Sequence, residues 1–197
     1  MNRLLLVRHG ETSWNAAKKL QGQADIELSE LGREQAMELA PLLQRWAPTT
    51  VRTSDLQRAR QTAALLGWPG ATLDEGWREA DLGEWTSRRV LDITAEDGER
   101  YQRWRNGIEA PPGGESMANF RKRISAAIDL LREHSGDVLV VTHGGAIRVA
   151  VGITLGLSAD RIVAVEPGSL TVLDMSASPR LLAYNLTPFA VHTQTTD

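Results

Sequence analysis

Two short apolar runs in this chain end in the same way, and that repetition constrains the fold more than any other feature. Val138-Leu139-Val140-Val141 has no polar residue. As a strand it must be covered on both faces, the mark of a central strand in a parallel sheet. It stops at Thr142-His143-Gly144-Gly145. Leu4-Leu5-Leu6-Val7 is equally apolar and stops at Arg8-His9-Gly10. Runs this short, bounded by glycine, read as strands rather than helices. If the two strands are parallel neighbours, both histidines arrive at one edge of the sheet. The carboxyl ends of strands are where open α/β sheets bind ligands. A single histidine is most often packed or exposed without a role; two of only four, at matching strand ends, point to a site. A cation and an imidazole held together there suit an anionic ligand, phosphate above all.

The rest of the chain supplies helices between strands. A helix over residues 29–46 starts at the N-cap Ser29, with Leu31, Ala36, Leu39, Leu42 and Leu43 on its apolar side. Residues 50–53 are β-branched and short, hence a strand. Residues 55–66 are helical, with Leu56, Ala59, Ala63 and Leu66 at the right spacing. Residues 67–76 read as loop with a short strand near Thr72 and Leu73. A helix over 117–134 carries Phe120, Ile124, Ala127, Ile128 and Leu131 on one face. Another spans 146–155 and ends at Gly156, and 169–175 and 181–186 read as the last strands. Residues 77–116 hold three tryptophans, six arginines and nine acids without a clean period. They read as a lid or insertion with some helix. Residues 187–197 carry no core pattern and read as a mobile tail. Strands alternating with helices predict one α/β domain over residues 1–197, with a mainly parallel sheet.

Composition narrows the function. A net charge of -3 argues against non-specific nucleic-acid binding. The absence of cysteine excludes thiol catalysis and zinc-thiolate sites. No apolar run approaches the roughly 20 residues of a membrane span. Leu4 to Val7 is also too short for the core of a signal peptide, which needs about 7 residues or more. The expectation is a cytoplasmic protein without a membrane or nucleic-acid partner, and a homodimer is left open. Arginine outnumbers lysine 19 to 3, so each functional arginine needs its own argument. Arg58 has one. Ser54-Asp55-Leu56-Gln57-Arg58-Ala59 forms a third strand-to-helix junction, and Arg58 falls on the first helical turn, near the positive end of the dipole. Alone it reads as a solvated arginine, and Arg60, two residues on, cannot share its face.

Taken together, three segments carry a family resemblance: Leu6-Val7-Arg8-His9-Gly10-Glu11-Thr12, the stretch from Ser54 through Arg58 to Ala63, and Val140-Val141-Thr142-His143-Gly144-Gly145. Gln21-Gly22, the stretch from Leu28 to Ala36, and Gly113-Gly114-Glu115-Ser116 agree in order and spacing. Over about residues 3 to 175 the chain resembles the histidine phosphatase family, which includes the bisphosphoglycerate-dependent phosphoglycerate mutases. The resemblance implies a three-layer α/β/α sandwich with a mainly parallel central sheet, phosphoglycerate mutase-like. It implies that His9 is the nucleophile and becomes a phosphohistidine. Arg8, Arg58 and His143 then form the catalytic pocket around the phosphoryl oxygens. Asn15, Gln21, Gly22 and Gly144 join them in binding substrate. Glu79, in Trp77-Arg78-Glu79-Ala80-Asp81-Leu82-Gly83-Glu84-Trp85, matches the family's acid and base. Its neighbours Asp81 and Glu84 read as solvated carboxylates, and Glu11 and Glu115 as structural or peripheral. No metal and no other cofactor is implied. The chemistry is consistent, because phosphoryl transfer is mostly positioning and charge stabilisation, which arginine's planar fork serves better than lysine.

Two departures bear on the reaction. After Trp85 the family continues with Glu-Gly; here Thr86-Ser87-Arg88-Arg89 follows. The insertion is also shorter than in the glycolytic mutases, and a short lid favours hydrolysis. The expected activity is a metal-independent phosphomonoesterase acting on a small phosphorylated metabolite. The first alternative is a phosphoglycerate mutase, and the second a non-catalytic phospho-ligand-binding relative. Zinc held by His9, His143 and Glu79 is a further reading, disfavoured because Arg8 and Arg58 would repel the cation. Arg78, Arg88, Arg89, Arg103 and Arg105 are candidates for a second anionic group on the substrate, against a plain mixed-charge surface. Trp85 and Trp104 are candidates for stacking, against plain packing.

Overall fold

The computed structural model describes residues 1–188; the rest of the expected tail, from residue 189 on, lies outside the described residues. In chain order the elements are β1 (Arg3–Arg8), α1 (Ser13–Ala16), α2 (Glu30–Gln44), β2 (Thr50–Thr53), α3 (Gln57–Leu65), β3 (Thr72–Leu73), α4 (Val90–Arg105), α5 (Met117–Arg132), β4 (Val138–Thr142), α6 (Gly144–Leu155), β5 (Leu170–Asp174) and β6 (Arg180–Leu186). The strands form one sheet in the order β3-β2-β4-β1-β5-β6. The two apolar runs are parallel neighbours, with Val7 opposite Val141 and Arg8 opposite Thr142. β2 joins the other side of β4 in parallel, Thr53 opposite Val141. β3 is parallel to β2, while β5 and β6 are antiparallel additions.

Each apolar run is apolar throughout because both faces of the sheet are covered. Successive side chains on a strand point to opposite faces. Leu4, Leu6, Val138 and Val140 therefore enter a core with Ile124 and Ile128 of α5 and Ile147 of α6. Leu5, Val7, Leu139 and Val141 enter a second core with Leu39 and Leu43 of α2 and Ala59 and Ala63 of α3. Complete burial of each such side chain contributes about 1.5–3 kcal/mol. The result is three layers, helix on sheet on helix, with the parallel strands β1, β2 and β4 ending together.

Several boundaries and faces differ from the expectation, each for a local reason. α2 ends at Gln44 rather than at Trp46, and Leu31 is 43% exposed. Its first turn is turned by a backbone contact: a Cβ on Gly10 would lie 2.1 Å from the Gly32 carbonyl oxygen, and one on Gly32 2.0 Å from that of Glu11. That close approach presents Gly32 to β1 and sends Leu31 outward. α3 begins at Gln57 because Leu56 is still extended (φ -68, ψ 138), and Asp55 pairs instead with Arg78. α5 stops at Arg132, and α6 starts at Gly144, two residues earlier than its apolar pattern.

The region 77–116 contains helix, as expected, and sends aromatic side chains into the core. Trp77 and Trp85 are buried in the larger core, and α4 is a sixteen-residue helix kinked at Asp97 (φ -152, ψ 72). Trp85, Tyr101 and Trp104 pack ring against ring with centroids 5.4–5.9 Å apart. No helix among the described residues is long and apolar enough to cross a membrane.

Candidate active site

The three strand ends deliver their residues to one place. The hydrogen-bond ladder runs on past the strands: the His9 amide donates to the Thr142 carbonyl at 2.9 Å, and the Ser54 amide to that of Val141 at 2.9 Å. This fixes His9, Ser54 and His143 side by side. The two imidazole rings lie 5.2 Å apart between centroids. Arg58 on α3 ties them together, its Nε donating to His9 Nε2 and to His143 Nδ1 at 3.2 Å each. Both acceptors must then carry lone pairs. The protons fall on the other nitrogens: His9 Nδ1 donates to the Gly10 carbonyl at 2.7 Å, and His143 Nε2 to Ser54 Oγ at 2.9 Å.

The charges agree with that assignment. Burial, then Arg58 and Arg8, push the His9 pKa well below its usual 6.5, against the opposing Gly10 carbonyl. Burial, then Arg58, lower that of His143 in the same way. Arg58 is pushed down to about 10 by burial and held up by Glu79 and Asp25. At neutral pH the site therefore combines neutral imidazoles with charged guanidinium groups. The remaining Arg58 arms reach the loop after α1, Nη1 donating to the Ala24 carbonyl at 2.7 Å and Nη2 to the Gly22 carbonyl at 2.8 Å. Arg8 donates through Nη1 to the Val165 carbonyl, while its buried Nε has no hydrogen-bond partner among the described residues. A buried cationic donor without an acceptor is costly unless an anion completes it.

Glu79 faces this cluster from the loop ahead of α4. Its Oε2 accepts the Gly145 amide at 2.9 Å, at the N-terminus of α6, and its Oε1 accepts the Ala80 amide at 2.9 Å. The approach is close: a Cβ on Gly145 would lie 2.2 Å from Glu79 Oε1. Arg123 of α5 holds the segment, donating to the carbonyls of Gly76, Arg78 and Glu79 and pairing with Glu115 at 2.7 Å. Glu115 is thus a clamp on Arg123, and Glu11 accepts from Ser29 Oγ at 2.8 Å. Asp81 and Glu84 are exposed.

Arg8, His9, Asn15, Gln21, Gly22, Arg58, Glu79 and Gly144 all line one cavity of about 660 Å³. His143 is fully buried behind Arg58 rather than on that wall. Of the five arginines named as candidates for a second anion, four pair with acids: Arg78 with Asp55, Arg88 with Glu96, Arg89 with Asp92 and Arg103 with Glu109. Arg105 lines the cavity, and so does Trp104. No group of three or more His, Cys, Asp or Glu among the described residues is placed to hold a metal ion.

Three residues that serve the site carry no assignment from the sequence. Ser54 holds His143. Thr62 Oγ1 accepts the Gly10 amide at 3.1 Å and donates to the Arg58 carbonyl at 2.8 Å, joining α3 to the β1 turn. Both lie inside the quoted Ser54-to-Ala63 segment, so their signal was present. Arg123, in mid-helix among other arginines, had none.

The sequence matches the family described as the histidine phosphatase superfamily (branch 1) over residues 4–187. A glucosyl-3-phosphoglycerate phosphatase from Mycolicibacterium vanbaalenii is 35% identical over 173 residues, covering 81% of this chain and 77% of that one. A probable phosphoglycerate mutase GpmB from Yersinia pestis is 36% identical over 190 residues, covering 92% and 88%. Among solved structures, a mycobacterial glucosyl-3-phosphoglycerate phosphatase in complex with VO3 superposes with a TM-score of 0.86 at 33% identity, covering 94% of this chain and 99% of that one.

Proposed function

The chain belongs to the histidine phosphatase superfamily, and on that premise we propose that this phosphomonoester hydrolase works through a phosphohistidine formed on His9. The observation that carries the reading is the orientation of one ring. With Nδ1 bonded to the Gly10 carbonyl, the His9 lone pair sits on Nε2, where it accepts from Arg58 Nε, and His9 lines the cavity. A neutral imidazole held in one tautomer is a competent nucleophile.

The reaction has two halves. His9 Nε2 attacks phosphorus, the N–P bond forms and the ester P–O bond breaks. Glu79 gives its carboxyl proton to the departing alkoxide. Water then attacks the phosphohistidine, passes a proton to the Glu79 carboxylate, and the N–P bond breaks to release inorganic phosphate. Arg8 and Arg58 face the charge that spreads over the phosphoryl oxygens, with the α6 N-terminus beside them. His143 acts through Arg58, fixing the direction of its Nε. Asn15, Gln21, Gly22 and Gly144 complete the wall against the substrate.

A mutase would share the first half and return the phosphoryl group to an alcohol, a reading favoured by the Yersinia relative. Glu79 is only partly buried, so water reaches the carboxyl that activates it, which supports hydrolysis. The test is phosphate release across a panel of phosphorylated small metabolites, with 3-phosphoglycerate isomerisation assayed alongside. Release without isomerisation is expected, and a chelator leaves the rate unchanged because Arg8 and Arg58 supply the positive charge. Isomerisation without phosphate release reverses the choice.

A further inference from the structure

The cavity is longer than the phosphoryl site, and α6 measures it. Gly145, Val149 and Gly152 recur at helical spacing on one face of that helix, and all three line the cavity. At 1.5 Å rise per residue, Gly152 lies roughly 10 Å farther along than Gly145, whose amide holds Glu79. Between the two ends the wall is apolar: Met117 and Phe120 come from α5, and Val149 and Ile153 from α6.

At the far end cations return. Arg121 Nη1 lies 3.7 Å from where a Cβ on Gly152 would sit. Arg105 and Arg148 line the same cavity and sit near each other, burial and then Arg105 lowering the Arg148 pKa while Tyr184 and Glu79 raise it. Glu79 is the one acid among the described lining residues, and it sits at the phosphoryl end. Two cationic ends joined by an apolar wall match a ligand of the complementary pattern. A free carboxylate or phosphate bonded to such guanidinium groups is worth more than a neutral contact.

We propose that the substrate is a two-ended phosphomonoester: an apolar body bearing a second anion, carboxylate or phosphate, roughly 10 Å from the ester phosphorus and met there by Arg121. The proposal rests on the phosphatase reading and specifies the alcohol that leaves. It separates this chain's preference from 3-phosphoglycerate, whose carboxylate lies within the same three-carbon unit as its phosphate and cannot span the apolar section.

Binding tests it without turnover. Calorimetry compares alkylphosphonates of increasing chain length that end in methyl, carboxylate or a second phosphonate, on the wild-type chain and on Arg121→Ala. Arg121 is exposed and outside the catalytic cluster, so the variant should fold and bind inorganic phosphate as before. The expected result is an affinity gain of about tenfold or more for an anionic terminus, only at spanning lengths, and lost in Arg121→Ala. The larger of the two anionic gains names the terminal group. No gain at any length overturns the proposal, as does an Arg121→Ala variant that weakens inorganic phosphate equally. Turnover of the matching phosphate esters is a separate readout, and its absence would count against the phosphatase reading alone.

Discussion

The β1 and β4 ends carry nearly the same letters, Arg8-His9-Gly10 and Thr142-His143-Gly144, and lie side by side in register, yet their histidines hold different positions. His9 lines the cavity and is tied back to its own chain, at the Gly10 carbonyl. His143 is sealed inside and tied across to Ser54. What separates them is the side on which Arg58 meets each ring, Nε2 of His9 and Nδ1 of His143. In the proposed mechanism the bond on His9 Nε2 gives way to the incoming phosphorus, whereas the bond on His143 Nδ1 persists and holds the arginine still. Similar strand ends divide the labour because a single guanidinium sits between them.

That asymmetry can be broken from either side. His9→Ala should remove turnover altogether, on the order of 10⁴-fold or more, while the fold persists. His143→Ala should cost about 10²-fold, because Arg58 loses its orientation but the nucleophile remains. Equal losses in steady-state rates would erase the distinction between attacking and positioning histidines.

Moving the acid rather than the nucleophile gives the next effect. A methyl on Gly145 would occupy the place of Glu79 Oε1, so Gly145→Ala should displace the carboxyl and cost about 10²-fold on alkyl phosphates. The loss should be smaller on 4-nitrophenyl phosphate, whose leaving group needs no proton. Identical losses on both substrates would place Glu79 outside the proton transfer.

pH should report on both histidines together. Folded, each is held neutral to well below 6.5, whereas unfolded chains protonate near 6.5. Below that pH the unfolded state binds more protons, so stability is present above it and falls as the pH drops through it. The fall is roughly 1 kcal/mol per pH unit for each histidine. Thermal melts between pH 8 and 5 should show this slope, reduced by about half in His9→Ala; an unchanged slope would mean that this ring titrates normally. The smallest effect is expected for Ser54→Ala, which leaves the His143 ring without its buried partner. About 1 kcal/mol of stability and a few-fold in rate should be lost, read by melting and kinetics.

Much of this site was legible because it is local. The histidines, Arg8 and Arg58 each sit within a few residues of a strand end, so the motifs that mark the strands also mark the groups. The apolar runs were equally plain, since burial on both faces leaves no polar letter in them. The helix boundaries were less so: α6 begins on the glycines that an apolar pattern ignores, and Leu31 is displaced by a backbone contact that hydrophobic spacing does not register. The far wall of the cavity was least legible. Arg121 meets it from α5 beside Gly152, and nothing in its neighbours distinguishes it from the many arginines on the surface. Arg88 and Arg103 looked similar and proved to be paired.

Everything in the proposed mechanism turns on a phosphoryl group passing through His9. Rapid quenching during turnover of 4-nitrophenyl phosphate, followed by peptide mass spectrometry in alkali, tests it most directly. One phosphoryl group is expected on the peptide containing His9, stable in alkali and lost in acid, absent in His9→Ala and accumulating in Glu79→Gln. A phosphoryl group on His143, or turnover by Glu79→Gln with no phosphoenzyme at any time, would contradict it.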